Sequence, residues 1–141
     1  MKYKIAFIAP YKEMADLFLE VCNEFNKQII IEIGDLADGV KKARALEEKK
    51  IDVIILYSVP TNGYQTVKIA RKYNIPVIFR SIDILNALVP IKGLRPITLS
   101  LEKWVYKNVD KILTLSTKLS EYVIGLGAKK SKVELLPFGV D

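Results

Sequence analysis

The chain has 141 residues, half of them hydrophobic, with 22 Lys and Arg against 16 Asp and Glu for a net charge of +6. That length suits one domain with a real core, no apolar run approaches the roughly 18–20 residues of a membrane span, and no secretory leader precedes the first strand pattern, so a cytoplasmic domain is the expectation. A single cysteine and no histidine exclude an internal disulfide, His-based zinc sites and His triads, and the scattered positive charge forms neither the patch nor the motif of a nucleic-acid binder.

Residues 3–9 (YKIAFIA) form a compact apolar run that predicts a buried first strand. Over residues 12–27, Met14, Leu17, Phe18, Val21, Cys22 and Phe25 recur at helical spacing. Cys22 lies in that stripe and reads as a small core residue, because burial suppresses thiolate formation. Residues 28–33 predict a second strand. Gly34 and Asp35 then turn the chain, and Asp35 is placed to cap a helix over 36–49 that buries Leu36, Val40, Ala43 and Leu46.

Residues 52–57 (DVIILY) are continuously hydrophobic, as expected of a strand covered on both faces. Residues 58–63 read as a loop rich in turn formers, followed by a helix to about Tyr73 and a fourth strand over 77–80. The connection 81–94 is greasy, with Ile84, Leu85, Leu88, Val89 and Ile91. From Arg95 a helix begins with Pro96 in its first turn, and Ile97, Leu101, Trp104 and Val105 are read as its apolar face. A strand over 112–115, a Ser116-Thr117 turn, a helix stopping at Gly125 and Gly127, and a strand over 133–136 complete the chain.

This alternation predicts an α/β domain over residues 1–141. Its expected form is three-layer and Rossmann-like or flavodoxin-like, with a parallel sheet of about six strands in the order 2-1-3-4-5-6 and right-handed crossovers. Ligands on such sheets gather beyond the carboxyl ends of the strands. The candidate binding residues there are Tyr11, Lys12, Asn62, Gly63, Arg80, Ser81, Asp83, Ser116 and Thr117, a set of hydroxyls, an amide, cations and a carboxylate suited to hydrogen-bonding a polyol. Each has a structural alternative. Arg80 and Asp83 could form a salt bridge that stiffens their loop, and Asn62, Ser116 or Thr117 could cap the helix that follows. No Gly-x-Gly-x-x-Gly and no P-loop occurs, which counts against an independent nucleotide-binding domain.

One resemblance is carried by residues 51–141. The helix LEKWVYKNVDKILTLS approaches its strand with Glu102 eight residues before Asp110-Lys111, and Leu126-Gly127-Ala128 follows the next helix. The chain then closes with Leu136-Pro137-Phe138-Gly139-Val140-Asp141. This succession resembles the retaining glycosyltransferases of family four.

The resemblance implies the N-terminal, acceptor-side half of a two-domain GT-B enzyme, with Gly139, Val140 and Asp141 as the border motif. A C-terminal donor-binding domain would be its partner, a nucleotide sugar the donor, and a sugar or lipid-linked molecule the acceptor. No cofactor or metal is implied within this chain, and no activity is expected of it alone. Peripheral membrane contact is a further expectation for residues 84–107, where apolar side chains neighbour Lys92, Arg95, Lys103 and Lys107.

Two departures from the family stand out: no glycines follow the first strand, and no histidine follows the fourth. Residues 1–55 also resemble the sensory domain of propionate-catabolism regulators. A small-molecule sensor domain, or an engineered α/β domain without activity, is therefore the alternative.

Overall fold

The computed structural model describes residues 5–8, 30–32, 50–57 and 60–137. Its six strands are β1 (Ile5–Ile8), β2 (Ile30–Glu32), β3 (Val53–Leu56), β4 (Val77–Ser81), β5 (Lys111–Thr114) and β6 (Val133–Leu135). They form one sheet in the order β2-β1-β3-β4-β5-β6, and every neighbouring pair is parallel. This is the order read from the sequence. Parallel neighbours need covered crossovers, which is why β3 is apolar throughout: Ile54 and Leu56 are fully buried, and Val53 and Ile55 are half-buried. The helices expected over 12–27 and 36–49, and Cys22 with them, lie outside the described residues.

The described helices are α1 (Pro60–Lys72), α2 (Arg95–Asn108) and α3 (Thr117–Gly125). In α1 the buried positions are Gly63, Thr66, Val67 and Ala70, spaced at i, i+3, i+4 and i+7, so one stripe faces the core. Helix α2 lies beside α1, with the Tyr64 and Trp104 rings 4.7 Å apart. The core gathers Ala6, Ile8, Ile54, Leu56, Val67, Val77, Phe79, Val105, Tyr106, Val109, Ile112 and Val123.

Two helices end alike. In α1 the N–H of Asn74 donates to Arg71 and that of Ile75 to Ala70; in α3 the N–H of Gly127 donates to Ile124 and that of Ala128 to Val123. Both are Schellman ends, which place one residue in the left-handed region. Asn74 (φ 54°) and Gly127 (φ 106°) occupy those places.

The structure corrects the sequence reading at two points. Residues 60–63 belong to α1 and not to a loop, because proline suits a first helical turn. The buried face of α2 is Glu102, Val105, Tyr106 and Val109, whereas Ile97 is 60% exposed. Of the expected apolar face, Trp104 and Val105 meet α1 and Val105 is buried. The sheet-facing stripe includes an acid, and a search for apolar residues alone passes over it.

Candidate functional site

Because all strands are parallel, their carboxyl ends open on one side, where Tyr57, the start of α1, the β4–α2 connection and the β5–α3 turn meet. Asn62 and Gly63 lie in the first two turns of α1. Gly63 is buried, and a Cβ there would stand 3.6 Å from Val105 Cγ2, so this glycine marks a helix–helix contact. Tyr11 and the border motif Gly139-Val140-Asp141 lie outside the described residues.

Arg80 and Ser81 end β4 and are both buried, at 6% and 1% exposure. Asp83 is exposed, and its Oδ1 accepts the N–H of Ile84 at 2.7 Å, closing the turn after the strand. Ser116 is the N-cap of α3, accepting the Leu119 N–H at 3.2 Å. Thr117 follows it as the first helical residue and is exposed. Behind this turn Thr114 and Ser120 share a hydroxyl–hydroxyl bond of 2.6 Å, and Ser120 also donates to the Ser116 carbonyl. The turn thus uses most of its own polar groups; among the described candidates Asp83, Ser116 and Thr117 are exposed, Asp83 and Ser116 already holding a backbone N–H.

The connection 82–94 is structured by its own bonds. Leu85–Leu88 and Lys92–Leu94 are 3-10 turns, Thr98 Oγ1 donates to Asn86 Oδ1 at 2.9 Å, and Arg95 Nε reaches the Val89 carbonyl at 3.5 Å. Leu85 packs on the core, whereas Ile82, Ile84, Ile91, Leu94 and, at the start of α2, Ile97 are exposed. These exposed apolar side chains sit on a connection held by its own hydrogen bonds.

Beneath the connection lies a buried acid that the sequence reading did not single out for the site. Glu102 Oε1 accepts the Tyr106 hydroxyl at 2.7 Å and Oε2 the Tyr122 hydroxyl at 3.2 Å. Burial pushes its carboxyl above the ordinary value, while the two tyrosines and the Asn86 N–H oppose that shift. Burial first, then the charge and bonding of Glu102, raise both tyrosines as well. The missed signal was an acid at i−3 and i−4 to Val105 and Tyr106.

The Asp110-Lys111 pair does structural work at the opposite end of the sheet. Asp110 holds the start of β4, and Lys111 pairs with Glu134 across β5 and β6. A shallow depression of about 330 Å³ at this end is lined by Arg71, Asn74, Ile75, Pro76, Asn108 and Asp110. It lies away from the crevice at the carboxyl ends.

Residues 31–139 match the family model described as "Glycosyl transferase 4-like domain". The chain belongs to that family. Among solved structures, this glycosyl transferase 4-like domain is similar to S. aureus MnaA in a co-structure with UDP. The TM-score is 0.67 at 12% identity, covering 96% of this chain and 43% of that one.

A UDP-N-acetylglucosamine 2-epimerase gives 0.62 at 11% identity, covering 96% of this chain and 48% of that one. A LuxR-family two-component response regulator from Aurantimonas sp. gives 0.52 at 11% identity, covering 98% of this chain and 91% of that one. At such identities the likeness is one of fold. The domain spans less than half the length of MnaA and of the epimerase. No curated protein sequence matches the chain. Among the described residues, no helix is long and apolar enough to cross a membrane.

Proposed function

We propose that this domain is the acceptor-side half of a retaining, nucleotide-sugar-dependent glycosyltransferase, completed by a C-terminal donor-binding domain. The family match over residues 31–139 carries the reading. UDP in the MnaA co-structure, a chain of which this one covers 43%, supports a nucleotide-diphosphate donor handled with a second half. Transfer needs donor and acceptor held together in a water-poor cleft, and proximity supplies much of the rate. One wall does not make a cleft.

Asp83 and Thr117, exposed beyond the carboxyl ends of β4 and β5, are the residues that would bond an acceptor hydroxyl in this reading. The exposed isoleucines and leucine of 82–97, beside Lys92, suit a lipid-linked acceptor presented at an anionic membrane surface. The domain would work on the cytoplasmic side.

The test is a transfer assay on residues 1–141 with UDP-sugars and mixed sugar and lipid-linked acceptors, with UDP binding followed by calorimetry. No turnover and no UDP binding are expected; turnover of any nucleotide sugar by this chain overturns the reading. In the protein carrying a donor half, Asp83→Ala and Thr117→Ala should raise KM for the acceptor and leave that for the donor unchanged.

A second reading, a small-molecule sensor domain, draws on the response-regulator fold, which this chain matches over 91% of that chain's length. Its distinguishing result is saturable binding of a small organic acid by residues 1–141 without any nucleotide dependence. The resemblance to propionate regulators in residues 1–55 lies mostly outside the described residues.

A further inference from the structure

At the amino ends of the strands, one depression gathers polar groups that the fold leaves partly unused. It has a volume of about 330 Å³ and is bounded by Arg71, Asn74, Ile75 and Pro76, between α1 and β4, and by Asn108 and Asp110, between α2 and β5. Asp110 accepts the Val77 N–H on Oδ2 at 2.7 Å and keeps Oδ1. Asn108 donates from Nδ2 to the Trp104 carbonyl at 2.7 Å and keeps Oδ1. Asn74 is set in the left-handed region, φ 54°, by the main-chain bonds that end α1. Among the described residues, neither its amide nor the Arg71 guanidinium holds a hydrogen bond or an ion pair.

We propose that this depression is a second ligand site, distinct from the crevice, and that it takes a neutral polyol, a pyranose or its glycoside. The charges select no ion. Arg71, Lys72 and Lys107 in the last turns offset the negative ends of α1 and α2, and within the depression Arg71 and Asp110 supply one charge of each sign. Both are exposed to water, where an ion pair contributes little.

The groups on offer match hydroxyls instead. A sugar hydroxyl donates and accepts, so neighbouring hydroxyls are satisfied by planar groups that set a donor beside an acceptor. The Asn74 amide is such a group; the Arg71 fork adds donors, and the Oδ1 atoms of Asn108 and Asp110 add acceptors. Pro76, exposed, and Ile75, 9% exposed, are the apolar ground on which the C–H face of a pyranose packs. Asn108 and Asp110 are bonded to the backbone before any ligand arrives, which lowers the ordering cost of binding. The site lies at the other end of the sheet from the candidate acceptor wall, and it stands whether or not the domain serves a transferase.

The test is a titration of the isotope-labelled chain with methyl β-glucopyranoside and with methyl N-acetyl-β-glucosaminide, followed by amide shifts in NMR spectra. It runs to about 100 mM, well past a millimolar dissociation constant. Saturable shifts are expected at residues 71–75 and 108–110 and at the side-chain amides of Asn74 and Asn108. Glycine or inorganic phosphate at the same concentration should leave them in place.

Arg71→Ala combined with Asn74→Gly removes two of the binding groups and spares the fold, because Arg71 is an exposed helical position and glycine accepts φ 54°. That variant should bind at least about tenfold more weakly at an unchanged melting temperature. No saturable shift with either glycoside, shifts only at residues 81–83 and 116–117, an equal response to glycine or phosphate, or undiminished binding by the variant each overturns the site. Should the double variant fail to fold, Arg71→Ala decides alone: weaker binding supports the site, and unchanged binding overturns it.

Discussion

Asp110 and Val77 hold each other twice: Asp110 Oδ2 accepts the Val77 N–H at 2.7 Å, and the Asp110 N–H donates to the Val77 carbonyl at 3.0 Å. One exposed acid thereby fixes where β4 and β5 begin, and with them the register Ile78 to Lys111. Asp110→Ala leaves the N–H of a buried valine without its acceptor. The expected loss is about 1–3 kcal/mol by urea denaturation, and Asp110→Asn, which keeps a carbonyl oxygen, should recover part of it. A neutral alanine would mean that water fills the place of the carboxylate.

Tyr106 and Tyr122 should stand apart from the rest of the seven tyrosines in an alkaline titration. Burial and then Glu102 raise both above the ordinary value near 10. A folded value above the unfolded one means that the stability is fully present below about pH 10 and is lost as pH rises beyond it. Absorbance at 295 nm should therefore show these two ionising only together with unfolding. Normal titration of both in the folded chain would contradict the buried cluster.

Gly127 and Gly125 should respond oppositely to alanine. At Gly127, φ is 106° and a Cβ would stand 2.5 Å from Lys107 Cε. Gly127→Ala should lose about 1–2 kcal/mol from the left-handed strain alone. Gly125 is helical with nothing within 4 Å of an added Cβ. Gly125→Ala should gain up to about 1 kcal/mol. Thermal melts of the pair give both signs in one experiment.

Ile91 and Ile97 are each 60% exposed, so the double change Ile91→Ser, Ile97→Ser should alter stability by no more than about 0.5 kcal/mol per site. The wild-type chain should cosediment with anionic vesicles, and the same change should abolish it. Trp104, tilted against Tyr64 within the helix pair, should keep its emission during binding and report an intact fold. Wild-type chain that ignores the vesicles removes the membrane-presented acceptor.

What the sequence by itself determined follows from local rules. Apolar runs of four to six residues alternating with helical stripes admit a parallel sheet, and crossover handedness then leaves little choice of strand order. Pro96 in a first turn, Ser116 as a cap and Gly127 as a stop were equally legible, because each answers to the backbone of its own few residues.

The site was decided elsewhere. Whether Gly63 touches a ligand or a helix depends on where Val105 arrives, and Val105 is 42 positions away. Glu102 reads as a surface acid until α3 brings Tyr122 to it and the connection lays Asn86 across it. Burial, and with it the energy of a charge, is a property of what the other elements cover. Only the tertiary structure supplies it.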